Sequence, residues 1–452
     1  MKQIATAFRG SGLMARVLRS SSWLVIGYGG SQAMRLAANL ILTRLLFPEA
    51  FGLMALVMVA VMGLGLFSDV GIGTSIAQNP RGDDPEFLNT AWTIQIARGV
   101  ILFVAACLLA KPVAGFYGEA DLALYLPIAA LSLLLAGFYP TRIETANRHL
   151  LVGRLTGLTL LSQGLGIAVV IIVAWATGSA IALVLGGVAE AAFRLTLTHF
   201  FLPGPANRLR WDRSAALEIL HFGKWIFLST GLTFVVSQSD RAILGRYLSL
   251  DMLGIYNIGY FLGSFPMMLG MAVSTKLMIP VYRDKPVRGN RDNWRKIRRL
   301  RWAMTVGLSA LLLAMALAGP GLAALLYDDR YLLSGPILSL VAISLIPQVI
   351  GMTYDDAALA AGDARSFFVL MLARAVVRVA TIMAALAAFG LIGAIAALGL
   401  SVVLVYPVQA WLAARHHAWD PVHDALAALV CALLSAAVIA VHWDSFTGLA
   451  GF

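Results

Sequence analysis

The sequence predicts an all-α polytopic membrane protein: two parallel six-helix bundles plus one extra C-terminal helix. Three observations predict it. Hydrophobic residues make up 60% of the 452 and charged residues 13%, where soluble domains carry roughly 25% charged. Apolar runs recur along the whole chain at a length of roughly 20 residues, enough for a helix to cross about 30 Å of hydrocarbon. The chain also repeats itself: "RLLFPEAFGLM" at 44–54 returns as "RYLSLDMLGIY" at 246–256.

The repeat sets the bundles. Extended backwards without a gap, it pairs Trp23 with Trp225, Gly29 with Gly231, Arg44 with Arg246, Glu49 with Asp251 and Gly52 with Gly254. A weaker echo pairs Ser132 with Ser344 and Gly178 with Gly390. Apolar runs place spans near 22–43, 52–76, 90–110, 122–142, 153–177 and 179–200, then near 223–246, 253–279, 301–320, 335–357, 367–388 and 391–414. The repeat joins span one to span seven. Six spans per half bring both halves into the membrane the same way up, so the halves are parallel repeats. The N-lobe is 22–200, the linker 201–222, the C-lobe 223–414, and a further helix covers 425–442.

Orientation follows from Lys and Arg in short loops. Residues 1–21 carry Lys2, Arg9, Arg16 and Arg19 and read as a basic interfacial segment. Arg148 and Arg154 follow span four, and Arg208, Arg210 and Arg213 lie in the linker. The loop 283–299 is the most basic, with Arg283, Lys285, Arg288, Arg291, Arg295, Lys296, Arg298 and Arg299. Loops on the other side hold little: Lys111, Arg330 and the flanking Arg44 and Arg246. The N-terminus is therefore expected in the cytoplasm and the C-terminus outside.

Several functions are excluded. The net charge of +11 is dispersed over loops, so no basic domain points to nucleic acid. Cys107 and Cys431 sit inside apolar runs and pair with no motif, which leaves no disulfide framework or redox site. No GxxxxGK phosphate loop and no enzyme motif occurs, so neither catalytic residues nor cofactors are expected. In "HHAWDPVH", His416, His417, Asp420 and His423 lie close together, but adjacent loop histidines are more often interfacial polar groups than metal ligands.

Charges within spans carry the information, because each costs about 2.5–3.5 kcal/mol to insert. Ser31, Arg35 and Asn39 recur every four residues with Gly27 on one face of span one. Gln95 and Arg98 share a face of span three, and Arg374 and Arg378 a face of span eleven. Such faces are expected to line a water-filled interior. Arg374 and Arg378 have no acid one turn away in their own helix, which points to an anionic ligand or to pairing with another helix. Guanidinium groups take phosphate oxygens two at a time, while Gln163, Gln238 and Asn257 are candidates for sugar hydroxyls. Glu190 and Arg194, four apart, are expected to satisfy each other. Asp69, Asp240, Asp355 and Asp356 are candidate ion carriers, with end-capping as the competing role for Asp69.

The phrases "TRLLFPEAFGLMAL", "FSDVGIGTSIAQ" and "QSDRAILGRYLSLDMLGIYNIGYF" resemble the polysaccharide-exporter, or O-antigen flippase, branch of the multidrug/oligosaccharidyl-lipid/polysaccharide superfamily. The resemblance covers about residues 20–415. It implies twelve core helices, alternating access, and transfer of undecaprenyl-pyrophosphate-linked oligosaccharide or exopolysaccharide repeat units to the outer leaflet of the bacterial inner membrane. Partners expected on this reading are the lipid-linked oligosaccharide, membrane lipids and the glycan polymerase and chain-length machinery, with the chain acting as a monomer. Multidrug export is the alternative on the same fold, although cationic drugs favour an acidic interior. A membrane polymerase or ligase fits less well, since no outward loop exceeds roughly 15 residues by the span lengths.

Overall fold

The repeated phrases fold as matching helix hairpins. The computed structural model describes residues 13–149, 151–284 and 291–449. Helix α1 (Leu13–Leu45) ends in Arg44 and α2 (Pro48–Leu66) opens with Glu49. Six short and long helices later the pattern returns. The helices between are α3 (Ile72–Gln78), α4 (Pro85–Tyr117), α5 (Leu122–Gly137), α6 (Arg142–Arg148), α7 (Val152–Thr177) and α8 (Ile181–Phe201). Then α9 (Arg213–Tyr247) ends in Arg246 and α10 (Leu250–Asp284) opens with Asp251. A cation at a helix C-terminus and an acid at the next N-terminus both complement the helix dipoles. The boundaries keep one register, 45 with 247 and 48 with 250. Burial repeats too: Arg44 and Arg246 are exposed, Gly52 and Gly254 buried.

The chain continues through α11 (Arg291–Leu326), a short 3-10 turn (Asp329–Tyr331), α12 (Ser334–Ala360), α13 (Ala364–Arg415), α14 (Pro421–Val441) and α15 (Trp443–Thr447). No strand occurs among the described residues. Among the described residues nine helices are long and apolar enough to cross a membrane, or up to eleven when two bent pairs each count as one span. One bent pair is α5 and α6, angled by 61°, where Pro140 lacks an amide and keeps Tyr139 out of the helical region. The expected second span is likewise α2 followed by the short α3. Helix α1 is long enough to span but carries Ser31, Gln32, Arg35 and Asn39, and is too polar to be among the nine. Helix α13 is 52 residues long and kinks at Gly390 (φ 58°, ψ −146°). Its halves match the two spans expected at 367–388 and 391–414. Gly178, the repeat partner of Gly390, also takes a left-handed φ of 59° and separates α7 from α8.

The chain forms two compact units that divide between Gly231 and Leu232, inside α9 rather than in the expected linker. Residues 213–222 of that linker are helical. In the first unit α5 packs on α2, α4 and α8, and α1 packs on α7. Gly99 and Gly137 face each other where α4 meets α5, and a Cβ on Gly137 would stand 3.1 Å from the Gly99 Cα, so two small residues set this close approach. In the second unit α12 is the central helix, packed by α10, α11, α13 and α14. Helix α14 is thus integral to that unit. The residues 1–12 and 285–290, which include Lys2, Arg9, Lys285 and Arg288, lie outside the described residues.

Candidate functional site

The first unit encloses a cavity of about 290 Å³ that Asp69, Gln95, Arg98, Tyr139, Glu144 and Arg194 help to line. Three of the expected site residues meet there. Arg98 projects from α4 toward the end of α2, donating from Nε to the Ser68 hydroxyl at 3.1 Å and from Nη2 to the Gly65 carbonyl at 2.6 Å. Gln95, one turn earlier, donates from Nε2 to the carbonyls of Ala136, Gly137 and Tyr139. Ala136 and Gly137 end α5 and Tyr139 lies in the break that follows, so Gln95 fastens a broken helix beside the cavity. Asp69 accepts the Gly71 amide at 2.9 Å. It caps the turn between α2 and α3 while facing the cavity.

Arg194 does not pair with Glu190 as the four-residue spacing suggests; no ion pair joins them among the described residues. Its guanidinium lies over the Tyr139 ring, 5.3 Å from the centroid, and its buried Nε has no acceptor. The Tyr139 face competes with Glu190 for the cation, and the broken chain at 138–141 brings that ring into reach. Glu144, which lies outside the expected spans, also faces the cavity. The repeat carries a signal for it: at the offset that pairs Ser132 with Ser344, Thr141 falls on Thr353 and Glu144 on Asp356.

The face expected on span one divides. Ser31 donates to Gln163 Oε1 at 2.7 Å, and Gln163 Nε2 returns a bond to the Ser31 carbonyl. This reciprocal pair ties α1 to α7. Arg35 is exposed on the same helix, and Asn39 is half-buried.

In the second unit Arg374 and Arg378 share a helix face but have different surroundings. Arg374 makes a two-pronged ion pair with Asp355 on α12, at 2.6 and 2.9 Å, and Gln409 donates to the same carboxylate at 3.1 Å. Of the two readings open to it, pairing with another helix is the one present. Arg378 is 7% exposed, its Nε has no acceptor, and it makes no ion pair among the described residues. Asp356, next to Asp355, accepts the Ser274 hydroxyl at 2.5 Å. Asp240 is 1% exposed; it accepts the Tyr256 hydroxyl at 2.6 Å, and its other oxygen is 3.9 Å from Arg241. Arg241 in turn donates to Asn257 Oδ1 at 2.7 Å and lies over the Tyr260 ring.

A second buried network was not legible in the sequence. Arg301, 1% exposed, donates to Thr353 Oγ1, to the Tyr282 and Tyr354 hydroxyls and to the Ala418 carbonyl. Asp424 accepts from both Tyr354 and Tyr406, and His423 bridges Asp424 to Thr305. The "HHAWDPVH" residues serve this network and the start of α14. Asp420 caps His423, Arg298 approaches Asp420 to 2.7 Å, and His416 turns to Asp363. Among the described residues no three His, Cys, Asp or Glu side chains are grouped to hold a metal ion.

Arginines set inside each unit, half-buried at Arg98 and Arg194 and buried at Arg301 and Arg378, are framed by polar helix-to-helix bonds within an apolar bundle and define a membrane protein with anion-compatible interior positions. Residues 41–298 match the model of the polysaccharide biosynthesis protein family, and the chain belongs to that family. It is 22% identical to the teichuronic acid biosynthesis protein TuaB of Bacillus subtilis over 61% of this chain and 57% of that one. It is 22% identical to the succinoglycan biosynthesis transport protein ExoT of Rhizobium meliloti over 73% and 66%, respectively. With the lipopolysaccharide biosynthesis protein WzxC of Escherichia coli the identity is 21% over 60% and 55%. The matches thus span less than two thirds of each relative. The fold is shared with the lipid II flippase MurJ (TM-score 0.67, 11% identity, 94% of this chain and 99% of that). It is also shared with an inward-facing multidrug resistance transporter of the MATE family (TM-score 0.61, 15% identity, 87% and 98%).

Proposed function

We propose that the chain is a transporter, not an enzyme, and moves undecaprenyl-pyrophosphate-linked oligosaccharide or polysaccharide repeat units from the inner to the outer leaflet of the bacterial cytoplasmic membrane by alternating access. The observation that carries this reading is Arg378. A buried guanidinium without a counter-charge is costly to keep, and a pyrophosphate supplies the missing anion with paired oxygens that suit its planar fork. Arg98, in its cavity beside Arg194, is the second position that we assign to the acidic end of the substrate. Arg35, exposed on the face of Ser31 and Asn39, is assigned to its passage. Asp240, Asp355 and Asp356 remain the candidates for ion coupling in the second unit, and Asp69 in the first.

The N-terminus is assigned to the cytoplasm, and the chain to monomeric action beside the glycan polymerase. The placing of the basic loops on one common side is supported by their clustering within each unit. Residues 79–84, α6 and the linker join through Arg81 with Asp212 and Glu218, and through Arg148 with Asp83. In the second unit Arg415 and His416 meet Asp363. The basic loops expected on one side of the membrane are thus held together within each unit.

The test uses cells whose glycan export depends on this chain and measures lipid-linked glycan left in the inner leaflet. Arg378→Gln should insert at a normal level and export poorly; Arg98→Ala should do the same. Full export by the double variant would overturn the anion-site reading. Resistance to cationic drugs in place of glycan export would select the multidrug alternative.

A further inference from the structure

The linker of the first unit is a built strap, not a loose connection. Arg142 donates to the Pro205, His199 and Leu202 carbonyls, and Asn207 exchanges two bonds with Thr141. Beyond Asn207 the amides of Arg208, Arg210 and Asp212 donate to Asn89, Thr93 and Thr90 on α4, at 2.8, 3.2 and 3.0 Å. Every second amide turns toward α4, so the segment runs extended and its side chains alternate between two faces. Those side chains are outward. Leu209 is 68% and Trp211 63% exposed. Arg208, Arg210 and Arg213 are exposed and make no ion pair among the described residues.

The depth of the strap follows from helix length. Helix α4 has 33 residues, roughly 50 Å at 1.5 Å per residue, against about 30 Å of hydrocarbon. About 20 Å is therefore shared between the two headgroup regions. The strap is bonded to residues 89–93, within roughly 13 Å of the start of α4. That is the level at which tryptophan and arginine favour the interface, and at which an unbonded backbone would be costly.

We propose that residues 208–213 form an interfacial binding surface for anionic phospholipid headgroups in the leaflet that carries the linker. Leu209 and Trp211 enter the acyl boundary, and Arg208, Arg210 and Arg213 take the phosphates. The backbone bonds to α4 hold the strap ready, so little ordering entropy opposes the contact. The proposal does not depend on the transported substrate.

The test uses the full chain in nanodiscs. With phosphatidylcholine brominated at acyl carbons 6 and 7, the fluorescence lost on Trp211→Phe should be a strongly quenched component. If that component is instead reached by aqueous iodide and spared by bromine, the strap lies in water and the proposal fails. Retention of phosphatidylglycerol, measured by native mass spectrometry against phosphatidylcholine, should fall roughly fivefold for each of Arg208, Arg210 and Arg213 changed to Gln, as expected for a cation at an anionic surface. Unchanged retention in the triple variant would assign lipid preference to other basic loops and overturn the proposal.

Discussion

Arg374 grips Asp355 with both terminal nitrogens, Nη1 2.6 Å from Oδ2 and Nη2 2.9 Å from Oδ1. The pair joins α13 to α12 and is only partly exposed, at 19% and 23% of the side chains. Removing one partner strands the other. Arg374→Ala is expected to cost about 2–3 kcal/mol, below the fully buried range because water screens part of the pair. Arg374→Lys keeps the charge and loses the fork, so it should fall between. Thermal unfolding in detergent measures both, and the exchanged pair Arg374→Asp with Asp355→Arg should recover part of the loss. A melt unchanged by Arg374→Ala would leave the pair without structural weight.

The Arg301 network makes a stronger claim on stability. Arg301→Ala leaves the hydroxyls of Tyr282 and Tyr354 and the Ala418 carbonyl short of a buried donor. Loss of about 3–5 kcal/mol is expected, seen as low membrane levels of protein. Tyr354→Phe removes a hydroxyl shared by both Asp424 oxygens, leaving Tyr406 and His423 as their partners, and should cost about 1–3 kcal/mol. Normal levels of both variants would mean that α14 is held by apolar packing alone.

Gly178 and Gly390 should respond differently to the same replacements. Gly178 sits at φ 59°, ψ 15°, where asparagine is tolerated. Gly390 sits at φ 58°, ψ −146°, a region essentially reserved for glycine, and a side chain there costs on the order of 1–3 kcal/mol. Gly178→Asn should therefore melt near wild type and Gly390→Asn well below it. Equal melting would show that α13 can straighten through the kink.

Acid should weaken the start of α13. Asp363 caps that helix, and the Ser366 amide, helped by the Ser366 hydroxyl, His416 and Arg415, holds its carboxyl below the ordinary 3.8. A depressed folded value gives stability that is complete above the unfolded value and is lost as pH falls through the folded one. Protection of the first amides of α13 from hydrogen exchange should accordingly drop below about pH 4. In Asp363→Asn, which caps without titrating, protection should become flat across that range. Persistence of the pH dependence in Asp363→Asn would move its origin elsewhere.

Topology has a direct test. A reporter fused within 291–299 should read cytoplasmic, because five basic residues there would otherwise have to cross the membrane. A periplasmic signal would reverse the assigned orientation.

The sequence by itself determined the membrane class, the duplication and most helix positions, because apolar length and repeat spacing are local properties of the chain. The pairings of Arg44 with Arg246, Glu49 with Asp251 and Gly178 with Gly390 were readable as offsets; the matching helix bounds and the positive φ of both glycines came with the fold. The family resemblance lay in the same hairpins. What side chains do inside the bundles was decided by tertiary structure. Charge spacing on one helix gave Arg374 and Arg378 the same standing, yet α12 offers Asp355 to one and no acid within ion-pair reach, among the described residues, to the other. Glu190 was the near neighbour of Arg194 along the helix, but the turn at 138–141 delivered the Tyr139 ring instead. A buried charge takes whichever partner lies nearest in space when water is gone, and nearness across helices is set by packing that no single segment encodes.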